Sequence, residues 1–164
     1  MATQLKEDTP QIGIDAEGRQ EVGKELGKVL ADSYTLYLKT HNFHWNVRGP
    51  HFHALHNLFE EQYTELAMAV DEIAERIRAL GVDAPGSYRE FSALNSIDEA
   101  PEKRPAALDM ASILAQDHEA VAKTARAALN VAEEAADEVS VDMMVERMTV
   151  HDKAAWMLRA ISAE

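Results

Sequence analysis

Four long segments with a helical hydrophobic period constrain the fold of this chain more than any other feature of its sequence. In each segment, small and apolar residues recur in steps of three and four, which is the period of an amphipathic α-helix. Glycine and proline cluster between the segments, where they interrupt helices. The second segment ends before Gly81, a residue type suited to a helix C-cap. The predicted helices run from about Gly18 to the Arg48-Gly49-Pro50 interruption, from about His51 to Leu80, from about Pro105 to Val131 and from about Val139 to Ile161.

The connection between the second and third helices is much longer than a hairpin turn. Residues 82–103 are broken by prolines and a glycine, with a short helix predicted around Tyr88–Leu94. One long central crossover is typical of ferritin-like bundles rather than of up-down-up-down bundles. The sequence therefore predicts an all-α, ferritin-like four-helix bundle over residues 18–164, preceded by a flexible N-terminal tail over residues 1–17.

The composition excludes several classes of function. The 164 residues include no cysteine, which rules out disulfides, thiolate zinc sites and cysteine nucleophiles. Sixteen basic residues against 29 acidic residues give a formal net charge of −13, a balance that repels phosphate backbones and attracts cations. The N-terminal residues are mixed and polar and no long apolar run occurs, so we expect a cytoplasmic protein without a membrane span.

The second predicted helix carries a polar stripe beside its apolar one. His56 and Glu60 form one i,i+4 pair of candidate metal ligands, and Asp71 and Glu75 form another. Small alanines between the pairs are unusual on a solvent-exposed face, and unpaired carboxylates are costly in a core. This mixture indicates a surface that something else covers, with carboxylates that are neutralised by cations. Histidine and carboxylate ligands without thiolate suit iron, zinc or manganese.

The two pairs cannot bind the same ion within one chain. Their centres are separated by roughly 22 Å along a helix that rises about 1.5 Å per residue, which far exceeds a metal–ligand bond of about 2 Å. Two antiparallel copies of the helix across a two-fold axis would bring the pairs together and create two identical sites in a dimer. His44, near the end of the first helix, would join the side of His56. We therefore predict a metal site that is shared between subunits.

Two plainer interpretations compete with a metal site. A single histidine on an apolar helix face is more often a hydrogen-bonded core residue than a ligand, and charged residues at helical spacing are usually solvated. Asp71 and Glu75 also lie near Arg76 and Arg78, which could form ordinary salt bridges with them. If the stripe makes only such salt bridges, the protein is a purely structural bundle, and replacing Asp71 by Asn leaves its metal affinity unchanged.

The remaining histidines and both tryptophans carry weaker signals. His118 and His151 fall within helical stripes and are predicted to be core or interface residues. His41 could face a second metal or solvent, and we expect it to face solvent. Trp45 and Trp156 are predicted to be packing residues. Trp45 has a second candidate role as a redox neighbour, because an oxidisable ring beside a metal ligand can intercept radicals.

A specific motif runs through the first two predicted helices. It comprises His-Trp-Asn at 44–46, Leu-His at 55–56, Glu60, and Asp-x-x-x-Glu-Arg at 71–76. This spacing resembles the ferroxidase region of the Dps family, the DNA-binding proteins from starved cells, which are mini-ferritins. The resemblance extends over about residues 20–162, through REFSALNSIDEAP in the crossover and DEVSVDMMVERMTVHDKAAWML near the C-terminus.

The resemblance implies a hollow homo-dodecamer with tetrahedral symmetry, in which ferrous iron is oxidised at two-fold interfaces, typically by hydrogen peroxide, and ferric mineral is stored in the cavity. By position, it implies that His44, His56 and Glu60 of one subunit meet Asp71 and Glu75 of the partner subunit. The family more often has Asp where this chain has Glu60, whose longer side chain could shift the second iron position. Zinc or other divalent cations could occupy the same ligands.

The same resemblance bears on iron entry and on DNA. Glu133, Glu138 and Asp142 match acidic positions that line three-fold iron-entry pores in the family, although an exposed acidic turn would give the same pattern. Family members that bind DNA directly often use a tail rich in Lys and Arg, which this chain lacks. We therefore expect no direct DNA binding by a shell of subunits that each carry −13. The competing hypothesis is a nucleoid-compacting protein with a weak or vestigial metal site.

Overall fold

The computed structural model describes residues 9–163, and this part of the chain forms long helices and one short helix without strands. The fold confirms the predicted all-α, ferritin-like four-helix bundle and the short helix in its crossover. Within residues 9–163, no helix is long and apolar enough to cross a membrane. The helices are α1 (Ala16–Asn46), α2 (Phe52–Ala79), α3 (Tyr88–Leu94), α4 (Ala107–Glu134) and α5 (Glu138–Ser162).

Local hydrogen bonds explain where the helices begin and end. The side chain of Asp15 caps α1 by accepting a 2.7 Å hydrogen bond from the backbone N–H of Gly18. Gly81 adopts φ +79° after α2, and the N–H groups of Gly81 and Val82 bond to carbonyls of the last helical turn, as in a Schellman motif. The predicted role of Gly81 in ending α2 is therefore confirmed.

Two helix starts differ from the sequence prediction. α4 begins at Ala107 rather than near Pro105, because Ala106 is the N-cap and has an extended backbone with ψ 161°. α1 begins at Ala16 rather than near Gly18, since its cap comes from the preceding aspartate. Residues 1–8 of the predicted tail lie outside the described residues.

Two apolar clusters form the core, one toward each end of the bundle. Each cluster draws on α1, α2, α4 and α5, so both hold the four long helices together by removing apolar surface from water. The clusters meet at a buried polar layer that includes Ser33 on α1 and His151 on α5. The first cluster includes Leu26, Ile73 and Met144, and the second includes Phe43, Phe59 and Leu114.

Buried polar bonds fix α1 against α4 and the crossover. Lys39 Nζ donates to Asp117 Oδ2 at 2.7 Å. Burial raises the pKa of the Asp117 carboxyl, although the hydrogen bond from Lys39 acts to lower it. Asp32 accepts hydrogen bonds from the backbone and side chain of Ser96 and from Thr124. These bonds anchor the crossover across α1 and α4 and leave the polar stripe of α2 uncovered in the single subunit.

Candidate metal centre

His44 and His56 hold each other in place across the turn between α1 and α2. The Nδ1 atom of His44 lies 2.8 Å from the carbonyl oxygen of His56, and the Nδ1 atom of His56 lies 2.8 Å from the carbonyl oxygen of His44. The two rings stack with their centroids 3.8 Å apart and their planes 17° apart. The structure therefore brings together the two histidines that the sequence assigns to one half of the site.

This arrangement fixes which nitrogen of each ring carries the proton when the imidazole binds a metal in its neutral form. A carbonyl oxygen can only accept a hydrogen bond, so each Nδ1 carries the proton and donates it. The other ring nitrogen, Nε2, then keeps its lone pair. Metal-binding histidines are commonly oriented in this way, by a carbonyl that holds the nitrogen not bound to the metal. The pair therefore offers two adjacent nitrogen ligands in a fixed orientation.

The three candidate carboxylates lie on the exposed surface of α2. Glu60 follows His56 by one helical turn, whereas Asp71 and Glu75 lie about three turns or more beyond Glu60. In the described part of the chain, none of the three carboxylates makes a hydrogen bond or an ion pair. Partial burial, followed by the charge of Glu60, raises the pKa of the neighbouring Tyr63. The carboxylates are therefore available to bind cations.

The competing salt-bridge interpretation does not hold for Asp71 and Glu75. Arg76 binds instead to the start of α5, where its Nη2 atom lies 2.6 Å from Asp137 Oδ1. Arg78 pairs with the loop that follows α2. Both arginines form ion pairs with other carboxylates. The negative charges of Asp71 and Glu75 are therefore not neutralised within residues 9–163.

A single subunit holds the candidate ligands as two separate half-sites. Within residues 9–163, no three histidine, aspartate or glutamate side chains form a group that could hold a metal ion. The length of α2 keeps the His56 end of the stripe away from the Asp71 end. A complete site would need ligands from a second subunit, so the assignment of all five ligands stays a prediction.

Aromatic rings surround the histidine pair. The ring of Tyr63 lies against His44 with centroids 5.1 Å apart, and His41 contacts Tyr63 at 4.2 Å and Trp45 at 3.9 Å. His41, which is expected to face solvent, is half-buried by these rings. This burial, and then the charge of His44, lower the pKa of His41. Trp45 and Trp156 are each 61% exposed, so neither is a core packing residue of the single subunit.

The candidate pore residues surround the turn between α4 and α5. Glu133 lies in the last turn of α4, Glu138 in the first turn of α5 and Asp142 one turn later, and all three are exposed. The turn itself is formed by Ala136, which adopts φ +54°. A role at a three-fold pore depends on neighbouring subunits and stays a prediction.

A buried polar network in the centre of the bundle is not predicted from the sequence. His118 and His151 are core residues, as predicted, and their Nδ1 atoms lie 2.8 Å apart. Arg147 Nη2 lies 3.2 Å from His151 Nε2, and the same guanidinium group binds the carboxylate of Glu65. The network joins α2, α4 and α5. Its only local sequence signal is the i,i+4 spacing of Arg147 and His151, because the other members are remote in sequence.

Comparisons of the sequence with known proteins agree with this architecture. A family model described as a ferritin-like domain matches residues 23–164. DNA protection during starvation protein 2 from Bacillus anthracis is 39% identical over 141 residues, which cover 86% of this chain and 96% of that protein. The DNA protection during starvation protein from Brevibacillus brevis is 37% identical over 142 residues, which cover 87% of this chain and 95% of that protein.

Solved structures show the same similarity. The crystal structure of Dps from Staphylococcus aureus matches with a TM-score of 0.84 at 40% identity, covering 87% of this chain and 95% of that chain. The Dps protein from Vibrio cholerae O1 is described as a member of a broad superfamily of ferritin-like diiron-carboxylate proteins. It matches with a TM-score of 0.87 at 30% identity, covering 93% and 95% of the two chains. Because sequence and fold agree along most of its length, this chain belongs to the Dps family of ferritin-like proteins.

Proposed function

We propose that this protein oxidises ferrous iron at a site shared between two subunits and stores the ferric product inside a protein shell. One half of the site consists of His44, His56 and Glu60, and the other half consists of Asp71 and Glu75 of the partner subunit. The reciprocal hydrogen bonds of the histidine pair carry the proposal, because they leave two Nε2 lone pairs for a metal ion. Similarity to a protein described as diiron-carboxylate supports iron as the metal.

The chemistry of the ligand set suits the oxidation of iron. Neutral imidazoles and carboxylates together bind ferrous iron, and carboxylates favour the more highly charged ferric product. Asp71 and Glu75 supply two negative charges that no neighbouring arginine neutralises. The site would therefore accept the reduced ion and stabilise the oxidised one.

A pair of ferrous ions allows peroxide to be reduced without releasing a radical. Two ferrous ions give two electrons to one hydrogen peroxide, which takes up two protons and becomes two water molecules. A single ferrous ion gives one electron and releases hydroxide with a hydroxyl radical. We assign the second ion to the neighbourhood of Glu60, whose side chain is longer than that of the more usual aspartate. The proposed oxidant is hydrogen peroxide, and the proposed benefit is protection against oxidative damage.

The shell in this proposal is a cytoplasmic dodecamer with two-fold and three-fold interfaces. Val139 and Trp156 are large apolar side chains on the surface of the single subunit, which an assembly would cover. Glu133, Glu138 and Asp142 would line the three-fold openings and draw ferrous ions inward. The net charge of −13 per subunit would keep the shell from binding DNA directly.

The first experiment measures iron oxidation directly. Anaerobic protein is loaded with ferrous iron and given stoichiometric hydrogen peroxide, while ferric absorbance and spin-trapped hydroxyl radical are followed. Wild type should oxidise iron quickly with little radical, and Asp71→Ala should lose roughly tenfold or more of the rate. Glu72→Ala, which removes the adjacent exposed carboxylate of α2, is the matched control and should behave as wild type. Equal, slow oxidation in all three proteins would refute the proposal, and a DNA shift at low salt without magnesium would then favour nucleoid compaction.

A second experiment tests whether two subunits share the site. His56→Ala and Asp71→Ala subunits are dissociated, mixed in equal amounts and reassembled. In each mixed dimer one site lacks both side chains and the other is intact, so about one site in four should recover after random pairing. No recovery above the separate variants would contradict a shared site, and it would leave open an iron site within each subunit.

A further inference from the structure

Each of the four long helices carries one buried polar atom that has no hydrogen-bond partner among residues 9–163. These atoms are Ser33 Oγ on α1, Gln62 Oε1 on α2, His118 Nε2 on α4 and Arg147 Nε on α5. The most exposed of the four side chains, that of Gln62, is only 9% exposed. Buried polar groups in folded proteins nearly always have a partner, because an unpaired group bears the full cost of losing water. One such atom on every long helix indicates a ligand that the helices share.

The four atoms lie at a similar level of the bundle. The second apolar cluster joins the ends of the four long helices that lie beside the turn between α1 and α2, through Phe43, Leu55, Met110 and Leu158. Counted from that end, the four residues lie roughly 16 to 24 Å along their helices at about 1.5 Å per residue. Hydrogen bonds connect Arg147 with His151 and His151 with His118. We name the four residues, together with Glu65 and His151, the central polar layer.

The hydroxyl group of Ser33 is available to a ligand. Ser33 is fully buried at a core position of α1, between Leu30 and Leu36. The hydroxyls of Thr35 and Thr40 on the same helix each donate to the carbonyl oxygen four residues earlier. Ser33 makes no such bond, so its hydroxyl can donate to another group and accept from it.

The central polar layer presents both donors and acceptors. The Nε–H group of Arg147 can only donate, and the amide oxygen of Gln62 can only accept. His151 Nε2 faces Arg147 Nη2 and therefore accepts, so His151 donates from Nδ1 to His118. The neutral ring of His118 then carries its own proton on Nε2, which makes this nitrogen a second donor. With the hydroxyl of Ser33, the layer requires a ligand that both accepts and donates hydrogen bonds.

An ion does not suit this layer. The guanidinium group of Arg147 would repel a cation, and His118 Nε2 has no lone pair to offer one. The carboxylate of Glu65 already neutralises Arg147 through two hydrogen bonds. An anion would therefore introduce a buried charge without a counter-charge, which is costly. The ligand must be small and neutral.

We propose that the central polar layer binds ordered water. Water offers two donors and two acceptor positions, and buried water typically makes about three hydrogen bonds to groups that otherwise have no partner. It would accept from Arg147 and His118 and donate to Gln62 and Ser33. Ser33 makes no direct hydrogen bond within the layer, so water would supply the polar connection between α1 and the other three long helices. This site lies within one subunit and is independent of the iron chemistry.

Crystals of the assembled protein test the site directly, at a resolution that shows ordered water. Each independent subunit should contain a solvent peak between about 2.7 and 3.2 Å from at least two of the four atoms. Separate crystals are soaked in bromide or in zinc, and anomalous scattering then locates either ion. Neither ion should bind at the layer. A bromide or zinc peak there would overturn the choice of water, and four atoms that bond directly to one another without a solvent peak would overturn the site.

A double variant tests which side chains hold the water. Ser33→Ala with Gln62→Met removes both acceptors and changes no charge, so the solvent peak should disappear. The control combines Ser112→Ala with Gln116→Met on α4, where Ser112 is half-buried and Gln116 is exposed, and it should keep the peak in place. An unchanged peak in the first double variant would contradict the assignment of these two acceptors. Circular dichroism shows whether each variant is folded, and if the first is not, the wild-type crystals still decide whether the layer binds water.

Discussion

Acid should weaken this bundle through the buried imidazole pair of His118 and His151. The Nδ1 atoms of the two rings are 2.8 Å apart, so one of them must donate to the other. Arg147, which can only donate, approaches His151 Nε2 at 3.2 Å. His151 therefore carries its proton on Nδ1 and donates it to His118, whose own proton lies on Nε2. Both rings are neutral in this arrangement, and neither has a free acceptor for another proton.

The size of the effect follows from the pKa of His118. Burial, and then the charge of Arg147, lower that pKa from its ordinary value of 6.5 to about 3. The same burial also places the pKa of His151 well below 6.5. Below pH 6.5 these two histidines bind protons in the unfolded chain but stay neutral in the folded chain. The free energy of unfolding therefore falls as the pH falls from 6.5 toward 3. At about 1.4 kcal/mol for each pH unit, His118 alone should cost about 3 kcal/mol at pH 4.5.

Urea unfolding of the assembled protein at pH 7 and pH 4.5 measures this loss. His118→Gln replaces the imidazole by an amide, whose oxygen can accept a hydrogen bond from His151, and it removes one titrating group. Between the two pH values it should therefore lose about 3 kcal/mol less stability than wild type. His53→Gln, which removes an exposed histidine at the start of α2, is the control and should follow wild type. If His118→Gln and wild type lose the same stability, the buried pair does not govern the acid response.

Three substitutions test local backbone conformation and packing by urea unfolding at neutral pH. Ala136→Gly should stabilise the protein by roughly 1 kcal/mol, because φ +54° is a left-handed conformation that glycine adopts without strain. Gly27→Ala should stabilise it by roughly 0.5–1 kcal/mol, since a Cβ there would contact only Pro85, at 3.7 Å or more, and alanine favours the helix. Gly23→Ala should destabilise it by about 1 kcal/mol or more, because its Cβ would lie 2.8 Å from Val82 Cγ2. A loss of stability in Ala136→Gly would contradict the argument from its backbone conformation. Equal changes in stability for Gly27→Ala and Gly23→Ala would contradict the argument from their contacts.

The sequence is sufficient to locate the helices because the signals that define them are local. Apolar side chains at helical spacing, with glycine and proline between the segments, place each long helix to within a few residues. Leu55, Phe59 and Leu66, which recur at helical spacing along α2, are all fully buried. The short helix in the crossover is also found where it is predicted, since Ser87 caps it and accepts from Glu90 N.

The partners of charged side chains cannot be predicted in the same way. Arg76 lies beside Glu75 in sequence, yet it binds Asp137, which is 61 residues away. Asp137 is 1% exposed and caps α5, so its buried charge requires a nearby cation more strongly than an exposed carboxylate does. The choice depends on burial, which the sequence does not display. For the same reason, the contacts that half-bury His41 and the network of His118 become visible only in the folded bundle.

The histidine pair shows how the end of a helix can prepare a metal ligand. The last carbonyls of α1 have no partners within the helix, and the N–H of Val47 satisfies only that of Phe43. His56 Nδ1 donates to the next orphan carbonyl, that of His44, and so helps to cap α1. The capping hydrogen bond uses the N–H at Nδ1 and leaves Nε2 free. An ion bound at Nε2 would therefore not compete with the hydrogen bond that ends the helix. The spacing of the two histidines is readable from the sequence, whereas their reciprocal bonding depends on the close approach of α1 and α2.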